Sequence, residues 1–282
     1  MKNDFFAKML LSCLVCSLAA VAGCCIQIGC GVPLAKYERT VQLSEPMPAG
    51  SVFTAQTHNG SITITGAGVP DCNVTATIIA RAGSEEDARR VAEETRIKLE
   101  SFGKKLALKI ERPRFLLNQS VQVNLNAKVP NRIDAELTTH NGALKIKNIT
   151  GQVNGTTHNS KVVAERLCGT IKLRAHNGSI SCKETSGDVK LKTHNGRINA
   201  AYSEDASPVC DASLITHNGS INFTAPASFS TTVDVSTHNG SINTELPITV
   251  IGKVSRRKLS GTIGTGQGKL NLETHNGSIR LR

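Results

Sequence analysis

Residues 140–196 read HNGALKIKNITGQVNGTTHNSKVVAERLCGTIKLRAHNGSISCKETSGDVKLKTHNG. In this stretch His140, His158, His176 and His194 recur every 18 residues, and glycines mark a finer grid of nine residues. Ser160 occupies the one grid position that lacks glycine. The glycines on the grid are Gly142, Gly151, Gly169, Gly178, Gly187 and Gly196. A short fixed period with glycine at the turns is typical of stacked repeats, in which each unit contacts only its neighbours.

Apolar residues alternate on both sides of each histidine. Before His176 they are Ile171, Leu173 and Ala175, and after it the first is Ile180. This alternation predicts one strand in each nine-residue half. We therefore predict an all-β, single-stranded, right-handed β-solenoid, with coils of 18 residues that stack at about one strand spacing, ~4.8 Å. A meander of β-hairpins is the alternative, because Asn-Gly also favours two-residue hairpin turns.

The Asn-Gly pairs of the repeat are interpreted as its structural turns. Asparagine and glycine adopt left-handed backbone conformations that β-branched residues avoid. Asparagine amides at equivalent corners could also hydrogen-bond along the stack. The turn residues predicted in this way are Asn141, Gly142, Asn177, Gly178, Asn195 and Gly196.

One helix is predicted before the repeat, near residues 84–99. Ser84 precedes three acidic residues, which is close to a capping box, and Ala88 and Val91 begin an apolar face that continues to Leu99. We expect this helix to cover one end or flank of the solenoid, because a bare terminal coil exposes an edge strand. The solenoid domain is assigned to residues 49–282.

The N-terminus is predicted to be a targeting segment. Lys2 and Lys8 precede an apolar run from Met9 to Ala22, which is shorter than a typical transmembrane span. Residues 1–23 are therefore interpreted as a lipoprotein signal peptide. An ordinary secretory signal is the alternative.

The next residue, Cys24, is predicted to carry the lipid. Val21-Ala22-Gly23-Cys24 resembles the bacterial lipobox, and the resemblance implies cleavage before Cys24 and attachment of diacylglycerol to its sulfur. Acyl chains would then hold the exported domain on a membrane of the bacterial envelope, on its periplasmic side or at the cell surface. Residues 24–48 show little periodicity and are predicted to be a tether.

Cysteine usage agrees with export. Of nine cysteines, six lie beyond the signal and the lipid site: Cys25, Cys30, Cys72, Cys168, Cys182 and Cys210. An even number permits disulfides in an oxidising compartment, but the sequence does not fix their pairing. Cys182 replaces an apolar core position, so we predict a buried free thiol there.

The chain is basic, with a formal net charge of +11. Lys172, Arg174, Lys190 and Lys192 occupy outward positions of two neighbouring coils, and we call these four residues the basic face. Such a face would bind an anionic envelope polysaccharide or an acidic protein surface. No DNA- or RNA-reading motif is present, so nucleic acid is not predicted as a partner.

The histidines form the sharpest candidate site. His140, His158, His176 and His194 are predicted to point outward as a row, because the preceding residue points inward. Neighbouring imidazoles could hold Zn²⁺, Cu²⁺ or Ni²⁺. Otherwise the row is a by-product of repeat duplication, or it responds to pH because adjacent protonated rings repel each other. No acidic or cysteine ligand recurs beside the row, so the first prediction is that no cofactor is bound.

The order of elements resembles a bacterial adhesin-like family of β-strand repeats of unknown function. The matching pieces are the helix, Ala127-Lys128-Val129-Pro130, the coils from Thr139 and the closing segment from Gly268 to Ile279. The resemblance covers roughly residues 51–282 and implies a β-solenoid on an exported or membrane-linked protein. It supplies no catalytic residue. In that family the residue before Asn-Gly is not uniformly histidine, so the resemblance does not imply the histidine row.

No catalytic set is predicted. Outward positions are mostly Lys, Arg, Thr, Ser and Asn, and no acidic pair recurs on adjacent coils as glycoside cleavage would require. The sequence therefore predicts a non-enzymatic, lipid-anchored adhesin or scaffold that presents a basic, histidine-rich face to an anionic polymer or partner. An envelope metal-binding protein that uses the histidine row is the alternative.

Overall fold

The computed structural model describes residues 34–113, 118–250 and 255–282, so the predicted signal peptide and lipid site, together with Cys25 and Cys30, lie outside the described residues. The described part is β-structure with one helix, α1 (Glu85–Glu94). The strands are β1 (Ala35–Pro46), β2 (Val52–Asn59), β3 (Ile62–Ala67), β4 (Asp71–Ala82), β5 (Arg96–Phe102), β6 (Lys105–Glu111), β7 (Ser120–Pro130), β8 (Asp134–Asn141), β9 (Leu144–Thr157), β10 (Val162–Asn177), β11 (Ile180–Thr185), β12 (Val189–Asn195), β13 (Ile198–Tyr202), β14 (Asp211–Asn218), β15 (Ile221–Thr224), β16 (Thr231–Asn239), β17 (Ile242–Thr244), β18 (Thr249–Val250), β19 (Lys258–Ile263), β20 (Gly268–Asn276) and β21 (Ile279–Leu281).

The coils pair in parallel and in register. Ile171 of β10 lies opposite Val153 of β9 on one side and Val189 of β12 on the other, a separation of 18 residues in each direction. The segments directly before and after an Asn-Gly turn pair with segments of the neighbouring coils and not with each other. The hairpin meander therefore does not occur in the coils. Because the register is in phase with the repeat, equivalent side chains of successive coils stack directly.

Each coil contributes to two series of strands that enclose one core. The first series precedes the Asn-Gly turn, and its inward residues include Leu173 and Leu191; the second follows the turn and includes Ile180 and Ile198. All four side chains are fully buried. Strands β9 and β10 continue through the second corner of the coil and so belong to both series. The predicted alternation of inward and outward residues is thus confirmed.

An insertion between the first and second coils caps the N-terminal end. Strand β2 pairs directly with β8, although 74 residues separate Asn59 from Asp134. The intervening β7 pairs in parallel with β3 and so extends the second series. Strand β4 pairs antiparallel with β7, and β1 pairs antiparallel with β4 over its whole length. The prediction that residues 24–48 form a tether is therefore wrong for Ala35–Pro46, which is an edge strand of the sheet.

The helix is shorter than predicted. It begins after Ser84, whose hydroxyl accepts a hydrogen bond from the Asp87 amide, and it ends at Glu94 rather than at residue 99. Thr95 then turns the chain into β5, in which Ile97 alternates with exposed neighbours. Arg39 of β1 donates to the carbonyls of Ala92 and Glu93, which satisfies the helix C-terminus. No helix in the described part of the chain is both long and apolar enough to cross a bilayer.

The C-terminal coils do not follow chain order. If the coils followed chain order, the coil of His275 would stack beyond the coil of His238. Instead β20 lies between β14 and β16, and β21 lies between β15 and β17. The earlier coil is then covered by β19, which runs antiparallel to β16. This cap occupies the open edge of β16, so the last coil is inserted into the stack rather than added at its end.

The four described cysteines, Cys72, Cys168, Cys182 and Cys210, are free. Cys182 is fully buried, as predicted. Burial raises the pKa of the Cys72 and Cys182 thiols to about 12, so both remain protonated and unreactive near neutral pH.

Candidate functional site

All eight histidines form one exposed column along the stack. Seven ring-to-ring contacts join them, with centroid separations of 4.6–5.2 Å and interplanar angles of 3–23°. The spatial order is His58, His140, His158, His176, His194, His217, His275, His238. The row predicted from the four central histidines is thus longer, and it includes the coils that carry insertions.

An asparagine ladder beside the histidines fixes the register of the turns. Each Asn side chain donates from Nδ2 to Oδ1 of the Asn in the neighbouring coil, in seven bonds of 2.7–3.0 Å that run from Asn59 to Asn239. Every internal amide therefore acts once as donor and once as acceptor within the ladder. The predicted turn residues Asn141, Asn177 and Asn195 are all members.

Threonine and glycine complete the corner. In six of the eight histidine motifs, the residue before the histidine is a buried threonine that donates from Oγ1 to a turn carbonyl of the adjacent coil; Thr193, for example, bonds to Gly178 at 2.8 Å. The backbones approach so closely that a Cβ on Gly142, Gly178 or Gly196 would overlap the turn carbonyl oxygen of the neighbouring coil. Glycine is required at these turns because of this contact. The left-handed backbone conformation predicted for the Asn-Gly turns is wrong at all three positions, since φ is not positive there.

The histidine column has the wrong geometry for the predicted metal site. The rings are nearly parallel, so the in-plane lone pairs of neighbours point side by side and do not converge on one ion. In the described ranges, no group of three or more His, Cys, Asp or Glu side chains is placed to hold a metal ion. The alternative function as a metal-binding protein is therefore not supported.

Stacking makes the column sensitive to pH. Desolvation, and then the charges on His140 and His176, lower the pKa of His158. The unfolded chain therefore binds this proton more readily than the folded chain, so stability is lost as the pH falls below about 6.5. We expect thermal unfolding measured from pH 7.5 to pH 5 to show a decrease in melting temperature that is smaller in His158→Gln. Thr156→Gln, an exposed neighbour that does not titrate, should behave like the parent; an equal decrease in all three proteins would contradict this account.

The four residues of the basic face lie together on the outer side of the first series. Lys172 pairs with Lys190 and Arg174 with Lys192 across β10 and β12, so the charges form a two-by-two cluster. All four side chains are exposed. Within the described ranges no carboxylate forms an ion pair with any of them, whereas Lys147 on the second series pairs with Glu165 at 2.7 Å. Like charges held this close raise the local positive potential.

A groove adjoins the basic face, and the sequence alone did not predict it. It has a volume of about 670 Å³ and lies between β6 and the outer side of the first coils. The half-buried Arg112 lines it together with Lys109, Arg174 and the rings of four histidines, from His58 to His176. Arg112 lies outside the 18-residue repeat, so no periodic signal marked it as part of a site.

Comparison with known proteins identifies the family. Residues 51–282 match the Toastrack DUF4097 family, a domain of unknown function. No curated protein matches the sequence. A solved structure described as a "putative cell adhesion protein" from Clostridium sporogenes is similar, with 13% identity and a TM-score of 0.37, over 86% of this chain and 99% of that one. A "putative adhesin" from Bacteroides fragilis has 9% identity and a TM-score of 0.39, over 86% and 97%.

The family match spans the first Asn-Gly coil, the N-terminal cap and every later coil, including the inserted last one. It therefore covers the histidine column, the basic face and the groove together. The chain belongs to the Toastrack DUF4097 family.

Proposed function

We propose that this protein is a non-enzymatic, adhesin-like domain of the bacterial cell envelope that binds an anionic polymer through its basic face. The observation that carries the proposal is the two-by-two cluster of Lys172, Arg174, Lys190 and Lys192, which has no ion-pair partner among the described residues. Unpaired cations on a rigid sheet attract an extended polyanion without a conformational change, which favours binding.

The proposed location rests on the N-terminal sequence. The charged start, the short apolar run and the lipobox-like Val21-Ala22-Gly23-Cys24 favour export and attachment of a lipid at Cys24. The membrane would then be one partner and an acidic envelope polysaccharide the other. A right-handed winding of the coils is part of this proposal, since parallel strands joined by crossover connections are almost always right-handed.

Binding to polygalacturonate, a carboxylated polysaccharide, tests the proposal. We expect calorimetric titration of the full-length protein in detergent to show binding that weakens with added salt. Changing all four residues of the basic face to Gln should weaken it by up to about 1,000-fold, because each cation near an anionic surface contributes about 1 kcal/mol and about 1.4 kcal/mol is tenfold in affinity. A neutral polysaccharide should not bind.

The chain offers a control that removes the same charge from the second series. The control variant carries Gln at Lys145, Lys161, Lys183 and Arg280, four exposed cations without ion pairs among the described residues. It should bind like the parent. Equal losses in the two quadruple variants would mean that net charge alone drives binding, and the basic face would then have no specific role.

A further inference from the structure

The groove beside the basic face arises because β6 leaves the sheet. Strand β6 pairs with β2 from Lys105 to Leu108, opposite Val52 to Ala55, and no further. Beyond Leu108 it remains paired only with β5. The hairpin of β5 and β6 therefore forms a wall over the outer side of the first coils, and the space between wall and coils is the groove.

The groove runs along the stack rather than along a strand. Its floor is built from outward residues of four successive strands, β2, β8, β9 and β10, which supply Gln56, Thr138, Thr156 and Arg174. Three strand spacings give a length of about 14 Å. An occupant would lie across the strands, parallel to the histidine column, and would meet equivalent positions of successive coils at intervals of one strand spacing.

The lining is cationic and rich in hydrogen-bonding groups. Lys109, Arg112 and Arg174 contribute positive charge, and none of the described lining residues is acidic. Hydroxyl and amide groups of the floor and the histidine ring edges can donate and accept hydrogen bonds. Leu108 and Ile110 give the wall an apolar strip. This combination fits a chain that carries anionic groups, many hydroxyls and small apolar faces.

The environment of the Arg112 side chain favours the binding of an anion. Its side chain is half-buried, and within the described residues it makes no ion pair. Burial lowers the pKa of its guanidinium because the charged form loses hydration. A carboxylate bound in the groove would offset this cost, since guanidinium and carboxylate groups form strong paired hydrogen bonds.

We infer that the groove is a binding site for about three residues of an extended acidic polysaccharide that lies along the stack, with Arg112 and Arg174 contacting its anionic groups. The rise per residue of an extended pyranose chain is close to one strand spacing, so successive sugars would meet successive coils. This inference rests on the proposed function and adds to it a defined place, a direction and a length for the ligand. From the groove the polymer would continue over the basic face, because Arg174 belongs to both.

Galacturonate oligomers of two to eight residues test the groove. Affinity for the full-length protein in detergent should rise steeply up to about three residues and more slowly beyond, as further residues reach the basic face. Arg112→Gln should weaken binding of the trimer about tenfold, because one charge-assisted pair is lost. Lys104→Gln removes the same charge from the turn of the same hairpin, outside the groove lining, and should change nothing.

Filling the groove gives a test that does not alter charge. Thr156 is exposed on the floor, and Thr156→Phe should obstruct the groove while keeping a residue that favours strands. Trimer binding should be lost, whereas Thr156→Val, which keeps the original size, should bind within about twofold of the parent, the loss of one exposed hydrogen bond. Circular dichroism and melting temperature verify that both variants are folded.

The outcomes separate the groove from the proposed function. If affinity rises evenly with every added residue, and Arg112→Gln and Thr156→Phe bind like the parent, the groove is not the site, although the basic face can still be. If no oligomer and no polymer binds the parent, both proposals are wrong. About tenfold weaker trimer binding in Arg112→Gln and loss of trimer binding in Thr156→Phe, with tight binding retained in their controls, would establish the groove.

Discussion

Deletion of residues 268–282 should remove stabilising free energy comparable with the whole free energy of unfolding of a typical domain. The deletion removes β20 and β21, which among the described residues are the only strands that join β16 and β17 to the preceding coils. It also removes the fully buried Leu270, Leu272, Ile279 and Leu281. At about 2 kcal/mol for each side chain, the loss is about 8 kcal/mol, within the 5–15 kcal/mol that stabilises a typical domain.

The loss should be confined to the C-terminal end. Coils contact only their neighbours, so the coils of β8 to β15 can remain folded while β16 to β19 lose their connection to the stack through β20 and β21. Hydrogen exchange should therefore show β16 unprotected and β10 protected. Lys269→Gln with Arg280→Gln, two outward changes on the deleted strands, should leave exchange unaltered. Full protection of β16 in the truncated chain would contradict the inserted position of the last coil.

Gly178→Ala should strongly destabilise the coils at the Asn-Gly turn. The added Cβ would overlap the carbonyl oxygen of Ser160, which belongs to backbone and cannot rotate away. The turn would have to shift, and with it the Thr193 hydroxyl bond to the Gly178 carbonyl and the bonds of Asn177 in the ladder. We expect a loss of about 3 kcal/mol in the free energy of unfolding, measured by urea denaturation.

Gly68→Ala is the matched control for this substitution. Gly68 is exposed, and a Cβ there would meet no atom within 4 Å. Alanine has less conformational freedom than glycine in the unfolded chain. The change should therefore be neutral, or should stabilise the folded protein by less than about 1 kcal/mol. A Gly178→Ala protein as stable as this control would show that the coils are farther apart at the turn than the structure has them.

The repeat could be predicted because similar residues recur at equivalent positions in every coil. The 18-residue spacing of His140, His158, His176 and His194 placed their strands, their turns and their outward direction correctly. The ladder of Asn side chains could also be predicted from the sequence, since stacked amides at a corner have few other hydrogen-bond partners. These features depend on contacts between identical positions, which the period alone determines.

The order of the last coils could not be predicted from the same signal. The motifs at His238 and His275 are alike, so either could stack on His217. The choice depends on β19, which folds back on β16 and covers the edge where a further coil would add. That antiparallel pairing joins residues outside the repeat, and nothing in the periodicity marks it.

Two predictions near the N-terminus, the tether and the end of the helix, were wrong although the sequence carries a signal for the observed structure. In β1, Tyr37, Val41 and Leu43 alternate as in a strand, but Arg39 interrupts the apolar pattern, because it is used to cap α1. In the helix, Ile97 and Leu99 follow Thr95 with a period of two rather than of 3.6. The groove left no comparable signal, since it depends on where β6 separates from β2.

Lysine footprinting tests the central claim most directly. The full-length protein would be acetylated briefly with and without polygalacturonate, and the modified lysines quantified by mass spectrometry. If the polymer lies on the basic face, Lys172, Lys190 and Lys192 lose reactivity when it is present, whereas Lys145 and Lys183 on the second series do not. Equal protection on both series, or none on the basic face, would contradict the account.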